Sequence, residues 1–345
     1  MTGNSLDKPL MIWPILGAIR FFLALIVAGS HLSWFVQPGS KVLTIGHFSG
    51  MVAVLGFLVI SGYSIAASYL KQKNGFYFRR FLRIVPLYVI LILFSAFVPS
   101  FFGGKVVTIG SPVFVTPSWN QVLGNLFFFQ GFIVTPIQPN MVVWTLSVEL
   151  FFYLITPLVA RLTRHTLFIV VCVLSAVYAL SHFFNLPFYT ELLFGINVLL
   201  LGWAWLLGFW IHGALSNNNT VIIAQSIGVC LIAVNSSGFP YLWPITWSIT
   251  ILGISYAKYF SYNRRIAQFF SILGDASYPL YLSHMPVFIL VYGFHFSESA
   301  YIFILAAIVF SILLDYAFDK PLKCLIIRFK NRNLTPIKAK ASIVQ

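Results

Sequence analysis

Two residues in one apolar stretch carry side chains that could do chemistry inside a hydrophobic layer. Arg20 opens the stretch and His31 lies eleven positions later, after mostly Leu, Ile, Val, Ala and Phe. A helix rises about 1.5 Å per residue, so the two would lie roughly 16 Å apart and on much the same face. Ionisable groups in a membrane helix are costly and usually face a cavity or a partner. Arg20 is therefore either a surface anchor or a binding group, and His31 either a packing residue or a base.

A carboxylate in a later apolar run is the second candidate. Glu149 lies about seven residues into that run, with Trp144 and Tyr153 at near-helical spacings from it. A carboxylate in such surroundings seeks a cationic or imidazole partner or becomes protonated. His31 is the predicted partner, because both residues fall on the outward halves of their runs. The alternative is a hydrogen bond that only packs two helices together.

Three arginines at the start of a further apolar run suit an anionic group. Arg79 and Arg83 are one helical turn apart, with Arg80 beside them. Guanidinium groups bind phosphates through paired hydrogen bonds. A phosphate site and a basic cluster at lipid headgroups explain the pattern equally well. In the run before them, Ser61-Gly62 allows two backbones to approach closely, which suits tight packing or a channel for a thin substrate.

Membrane helices are the elements that must position these residues. Of the 345 residues, 59% are apolar and only 8% are charged, whereas a soluble domain has roughly 25% charged residues. Apolar runs long enough to span a bilayer recur along the chain. They predict an all-α polytopic membrane protein of about ten spans. The expected spans are 11–32, 47–70, a third ending near 102, a fourth from 142 to just before 161, 166–184, 190–211, 220–237, 241–258, 277–294 and 300–317.

The distribution of basic residues predicts the orientation. With both termini in the cytoplasm, 19 of the 21 Lys and Arg side chains fall on that side, and only Lys41 and Lys105 fall outside. Such asymmetry is typical of membrane proteins. It requires that residues 119–134 do not cross, so this segment is expected to be a short re-entrant or interfacial helix. Residues 1–318 are predicted to form one transmembrane domain and 319–345 a basic cytoplasmic tail. The net charge of +14 then reflects topology and contact with lipids, and no nucleic acid partner is expected.

Other kinds of site find little support in the sequence. Cys172, Cys230 and Cys324 show no metal-ligand spacing, and neither a metal site nor a disulfide is expected. GxSxG, Walker A, GxGxxG and HExxH motifs are absent from the sequence. His284, which follows Ser283 in the ninth run, is interpreted as a structural histidine.

Five segments, in order along almost the whole chain, resemble the acyltransferase 3 family of integral-membrane acyltransferases. The chain departs from the family pattern at Leu55, where an acidic residue is common, and at Thr145, where serine is usual. No hydrolase-like domain is expected after the tenth run, as in the stand-alone form of the family. The five segments are Arg20 to His31, Ser61-Gly62-Tyr63, Phe78-Arg79-Arg80-Phe81-Leu82-Arg83, Trp144-Thr145-Leu146-Ser147-Val148-Glu149 and Leu273 to His284.

The resemblance implies an O-acetyltransferase of the bacterial cytoplasmic membrane. It would move an acyl group, acetyl by default, from cytoplasmic acyl-CoA to a hydroxyl of a cell-surface or lipid-linked carbohydrate. His31 would be the base or the acyl carrier, and Glu149 would orient its ring. The residues expected to hold acetyl-CoA are Arg20, Arg79, Arg80 and Arg83. The residues expected to contact substrate are Trp144, Tyr153 and Ser61.

Two other functions remain open on the sequence. A transporter or flippase for a glycan or small molecule also fits ten spans with charges at membrane depth. Such carriers typically have internal repeats with broken helices, which this sequence lacks. A non-catalytic membrane scaffold gives no reason for Arg20, His31 and Glu149 all to lie within spans.

Overall fold

Helices make up most of the structure, a computed structural model that describes residues 12–110, 112–184, 186–213, 218–236, 241–260 and 263–328. The helices in this part of the chain are α1 Ile12–His31, α2 Gly50–Lys71, α3 Phe76–Phe97, α4 Trp119–Leu126, α5 Trp144–Val159, α6 Arg164–Ser181, α7 Ile196–His212, α8 Asn218–Val234, α9 Leu242–Tyr256, α10 Arg264–Gly293 and α11 Ala300–Leu314. A helix thus occupies each of the ten predicted runs, and α4 lies in the segment predicted to be short.

Six helical segments among the described residues are long and apolar enough to cross a membrane. The helices α7 and α8 are apolar but shorter than each of these six segments. Length and composition therefore support an integral membrane protein in which several helices cross the bilayer. The six segments are Ile12–Trp34, Gly50–Lys71, Phe76–Phe102, Gln138–Val159, Arg164–Ser181 and Ala300–Arg328.

Polar residues mark where several helices begin. The side chain of Ser49 accepts a hydrogen bond from the backbone of Val52 at the start of α2. Ser118, Thr163 and Asn263 do the same for α4, α6 and α10. Such caps satisfy amide groups that the first helical turn leaves without a partner. The Asn263 cap places the start of α10 at Arg264, whereas the apolar run predicted a span that starts only at 277.

A short hairpin corrects the prediction of an all-α protein. The strands β1 (Lys105–Val107) and β2 (Val113–Val115) pair antiparallel, with Val106 opposite Phe114. Both of these side chains are buried, so the hairpin packs onto the helices below it. The glycine, proline and serine residues around it are typical of a loop. The valines within it are strand-forming residues, but each strand is only three residues long.

The helix that begins at α11 extends beyond the predicted domain boundary. A single π-helical turn at Asp315–Asp319 follows α11, and the chain stays helical to Arg328. The Lys320 ammonium lies 2.6 Å from an Asp315 carboxylate oxygen and 3.2 Å from one of Asp275 on α10. The first ten residues of the predicted tail are therefore helical, and one ion pair, Lys320 with Asp275, joins them to α10. The rest of that tail lies outside the described residues.

Two pairs of helices approach each other closely through glycines. On α2, a Cβ at Gly62 would lie 1.9 Å from the Trp205 carbonyl oxygen of α7, and a Cβ at Gly208 would lie 2.0 Å from the Val59 oxygen. On α1, a Cβ at Gly17 would lie 3.0 Å from the Gly274 Cα of α10. Small residues at such crossings are typical of membrane helix packing. Of the two interpretations of Ser61-Gly62, tight packing describes Gly62.

Replacing Gly62 by alanine is expected to destabilise the protein. The new methyl group would overlap the Trp205 carbonyl, and relieving such overlap by moving backbone costs about 1–3 kcal/mol. Thermal unfolding of the detergent-purified variant should show a lower midpoint. The matched control is Gly213→Ala, where the nearest neighbour of the new Cβ is 3.9 Å away. Equal midpoints for the two variants would contradict the close α2–α7 contact.

Candidate active site

A cavity lies among helices α1, α2, α3, α5 and α10. It encloses about 750 Å³, its open mouth included. Most of its wall is apolar, but three guanidinium groups and one carboxylate project into it. These charged residues are Arg20, Arg80, Arg83 and Glu149, and hydroxyl groups come from Ser61, Ser64, Thr145, Tyr153, Ser277, Tyr278 and Tyr281. Residues from all five predicted segments are thus gathered around one cavity.

Glu149 is held by hydroxyl groups from two helices. The Ser61 hydroxyl on α2 donates to Glu149 Oε1 at 2.7 Å. The Tyr153 hydroxyl, one turn later on α5, donates to the same oxygen. Ser61 and Tyr153 were predicted to contact substrate, and the structure places both as hydrogen-bond donors to the carboxylate at the cavity wall. Two donors from different helices thus converge on one oxygen of this carboxylate.

The cavity carries more positive than negative charge. None of the ion pairs between described residues involves Arg20, Arg80 or Arg83. The Nε atoms of Arg20 and Arg80 are buried and have no hydrogen-bond partner among the described residues. The Arg80 guanidinium lies 6.0 Å from the Tyr153 ring centroid and donates to Ser68 Oγ at 3.1 Å. Buried guanidinium groups with free donors are suited to hold an anion.

The basic surface continues from this cavity to the ends of α1 and α2. A neighbouring cavity shares Arg20, Arg80 and Arg83 with the first and adds Lys71 and Trp13. The two form a path from the basic end of the bundle toward Glu149. A long anionic molecule could lie along it with its charged part at Lys71 and its narrow part inside.

Arg79 has a different place from the other predicted anion-binding residues. Its guanidinium donates to the Asn74 carbonyl at 2.6 Å and to the Gln72 carbonyl. It is not part of either cavity wall. Arg79 therefore holds the loop between α2 and α3, which arranges the start of α3 where Arg80 and Arg83 lie.

His31 contacts a second histidine instead of Glu149. His31 Nδ1 lies 3.3 Å from Nε2 of His284 on α10, and the Trp34 ring lies 4.7 Å from the His31 ring. Among the hydrogen bonds of the described residues, none joins His31 to Glu149. The predicted His31–Glu149 contact is therefore not formed. His284 was interpreted as a structural histidine from the sequence, and its contact with His31 was not predicted, because the two residues are 253 positions apart.

A layer of polar and aromatic side chains separates the cavity from the two histidines. The Tyr281 hydroxyl lies 2.7 Å from Thr145 Oγ1 and donates to the Val142 carbonyl at 2.9 Å. The Phe57 ring packs edge-on against Tyr281 at 5.4 Å. One turn beyond, the His284 ring is 6.3 Å from Tyr281. His31 is not part of the cavity wall, but it is connected to the wall residue Tyr281 through His284.

Trp144 has one face covered within the protein. Its ring stacks on Tyr189 with centroids 5.3 Å apart and an angle of 14°, and only 8% of the residue is exposed. Stacking on a sugar was predicted for this ring, and the structure leaves at most its other face for that. Among the described residues, no group of three or more His, Cys, Asp or Glu side chains is arranged to hold a metal ion.

The sequence of the chain is similar to those of known acyltransferases. The sequence profile of the acyltransferase 3 domain, described as "Acyltransferase domain", matches residues 13–318. The chain is similar to the O-acetyltransferase OatA of Staphylococcus aureus (strain NCTC 8325 / PS 47), with 26% identity over 78% of this chain and 51% of the relative. It is also similar to the acyltransferase MdmB of Streptomyces mycarofaciens, with 32% identity over 44% of this chain and 40% of the relative. The matched part is therefore about half, or less, of each relative's length. No solved structure matches the chain significantly.

Proposed function

The chain belongs to the acyltransferase 3 family, and we propose that it transfers an acyl group, acetyl by default, from acyl-CoA to a hydroxyl group of a carbohydrate. The observation that carries this proposal is the excess of guanidinium groups in the cavity. Arg20, Arg80 and Arg83 face a single carboxylate, Glu149, in surroundings that are mostly apolar. Three cations in such a place need an anion, and phosphate groups match the donor geometry of guanidinium.

The donor would enter from the basic end of the bundle. The phosphates of CoA would lie near Lys71, Arg80 and Arg83, and the thin pantetheine arm would follow the cavity past Arg20. With the basic end in the cytoplasm, as the distribution of charge favours, the donor comes from the compartment that contains acyl-CoA. The thioester would then reach the layer of Thr145 and Tyr281, beyond which His31 lies.

His31 would act as the base on the acceptor hydroxyl. An imidazole nitrogen of His31 takes the hydroxyl proton while the oxygen attacks the thioester carbonyl carbon. The carbon–sulfur bond breaks, and the CoA thiolate leaves and takes up the proton from the imidazolium. The products are an O-acyl ester and free CoA thiol, so no further reagent is needed. Transient acylation of His31 followed by transfer to the hydroxyl would use the same atoms and give the same products.

The acceptor would be a cell-surface or lipid-linked carbohydrate. OatA is named as an O-acetyltransferase, and a hydroxyl group is the acceptor that such a transfer uses. The acceptor would approach His31 from the end of α1 opposite Arg20, so that donor and acceptor arrive from different sides. The protein would then work in the bacterial cytoplasmic membrane, in contact with lipids.

Arg80→Ala and Arg83→Ala test the donor site. Each should raise the KM for acetyl-CoA about tenfold or more, because each removes a charged hydrogen-bond donor worth about 1.5–3 kcal/mol. The measurement is transfer from radiolabelled acetyl-CoA into alkali-labile material of isolated membranes. Arg79→Ala is the matched control and should change the KM less, since its guanidinium is bound to loop carbonyls.

An unchanged KM in both cavity variants would contradict the donor site. The transporter reading is tested in the same cells by measuring glycan at the surface and glycan acetylation in parallel. Loss of surface glycan with full acetylation in His31→Ala would favour the transporter.

A further inference from the structure

His284 is buried in a way that fixes which of its nitrogens carries the proton. The residue is fully buried on α10. Its Nδ1 lies 3.1 Å from the carbonyl oxygen of Leu280, one turn earlier. A carbonyl oxygen can only accept, so Nδ1 must carry the hydrogen. In the neutral ring Nε2 is then an acceptor, and it points away from its own helix toward α1.

The acceptor nitrogen of His284 in turn fixes the proton on His31. His284 Nε2 lies 3.3 Å from His31 Nδ1, and the two rings are inclined by only 24°. Their centroids are 5.4 Å apart, which exceeds the nitrogen–nitrogen distance by about the sum of the two ring radii. The rings therefore meet edge to edge, nearly in one plane, as an N–H···N hydrogen bond requires. His31 Nδ1 donates, and the basic nitrogen of His31 is Nε2.

The surroundings of His284 keep it in this neutral, accepting state. Its ring neighbours other than His31 are Tyr281 and Phe288, with centroids 6.3 Å and 5.8 Å away. Its hydrogen bonds among the described residues go to a carbonyl and to His31, and none goes to a carboxylate. A leucine or methionine would fill such a place without the penalty of burying a polar ring. A buried histidine whose two nitrogens both bond therefore has a use beyond packing.

We propose that His284 is the positioning residue of the active site: it holds the His31 ring with Nε2 free for the acceptor hydroxyl and stabilises the imidazolium that forms there. This inference rests on the proposed role of His31 as base. It assigns to a histidine the part that a carboxylate has in a serine-protease triad. Glu149, predicted for that part, belongs to the donor cavity instead.

The proton path then runs through a single nitrogen of His31. The acceptor hydroxyl loses its proton to His31 Nε2, and the positive charge spreads over a ring whose Nδ1–H points at the His284 lone pair. The same Nε2–H then protonates the departing CoA thiolate. His284 neither gains nor loses a proton, because its Nδ1–H stays bonded to the Leu280 carbonyl throughout.

Two amide side chains that differ by one methylene group, glutamine and asparagine, test this role. In His284→Gln the amide oxygen can occupy the place of Nε2, whereas in His284→Asn the shorter side chain reaches only the place of Nδ1. Both replacements are polar and uncharged, so a residue that only fills space should tolerate the two alike. Kinetics are measured with radiolabelled acetyl-CoA and isolated membranes, as alkali-labile label, after confirming equal amounts of folded protein by thermal unfolding in detergent.

The expected result is a split between the two variants. His284→Asn should lower kcat about 100-fold with an unchanged KM for acetyl-CoA, and His284→Gln should keep kcat within about tenfold of the parent. Equal kcat values for the two variants in folded protein would overturn the role of His284. His31→Ala separates this result from failure of the proposed function. Full label in that variant would overturn the base itself, and the positioning role with it.

Discussion

Replacing His31 by alanine is expected to lower acyl transfer by about 10²- to 10⁴-fold, the usual contribution of a positioned general base. The variant loses the nitrogen that takes the acceptor proton, while the donor cavity, which His31 does not line, stays intact. The KM for acetyl-CoA should therefore be nearly unchanged, and kcat should carry the loss. The assay is the transfer of acetyl label to alkali-labile material in isolated membranes.

Two further measurements separate a chemical role of His31 from a structural one. Added imidazole should restore part of the activity of His31→Ala, because the removed side chain leaves space for a small base. His165→Ala is the matched control, since this histidine at the start of α6 is exposed and lines neither of the two cavities. Activity of His31→Ala equal to that of the control would contradict the assignment of the base.

Replacing Glu149 by glutamine is expected to produce a different kinetic pattern. An amide keeps one oxygen to accept hydrogen bonds from Ser61 and Tyr153, so the fold should persist. The negative charge is lost, however, and the guanidinium groups of the cavity then repel one another without a counter-charge. We expect kcat to fall about 100-fold, because charge-assisted hydrogen bonds no longer fix the cavity wall. The KM for acetyl-CoA should not rise, since a more positive cavity still attracts an anion.

Glu149→Ala should be the more damaging change at this position. It leaves the Ser61 and Tyr153 hydroxyls without their acceptor, at a cost of about 1–3 kcal/mol for each one that stays buried and unpaired. Its thermal midpoint should fall below that of Glu149→Gln. Ser61→Ala and Tyr153→Phe each remove one donor and should have smaller effects on kcat. A rise in KM with constant kcat in Glu149→Gln would instead show that the carboxylate contacts the donor.

The helices and the basic cavity follow well from the sequence, because both depend on local patterns. Apolar runs predicted where the helices lie. The spacing of Glu149 and Tyr153 brings them together within one helix, and the arginine cluster opens α3 at the cavity. The start of α10 was placed too late because its first turns, from Arg264, contain many exposed and polar residues. Amphipathic ends of membrane helices do not show in an average of hydropathy.

The contact between His31 and His284 could not be predicted from local sequence patterns. Which helix packs beside α1 depends on small residues such as Gly17 and Gly274, which allow close approach but do not name a partner. Glu149 was named from the sequence as the partner of His31, because a carboxylate is a strong acceptor, and His284 was interpreted as a structural histidine. Packing decided for His284, because α1 lies against α10 along much of its length. The fact that His31 and Glu149 lie on the outward halves of their spans thus did not predict that the two side chains are in contact.

The glycine crossings have a mechanical consequence for a full reaction cycle. Helices α1 and α10 meet backbone to backbone at Gly17 and Gly274, and α2 and α7 do so at Gly62 and Gly208. Each pair of helices is called a leaf here. We expect each leaf to move as one body, because backbones in such close contact cannot slide past each other without overlap. One leaf carries His31 with His284, and the other carries one donor to Glu149. A widening of the cavity that leaves both crossings intact would then occur between the leaves or at α3 and α5, which also line the cavity. Because His31 and His284 lie on the same leaf, we expect their rings to stay aligned when the cavity widens and narrows. The proposed catalytic pair would then not have to form again in each reaction cycle.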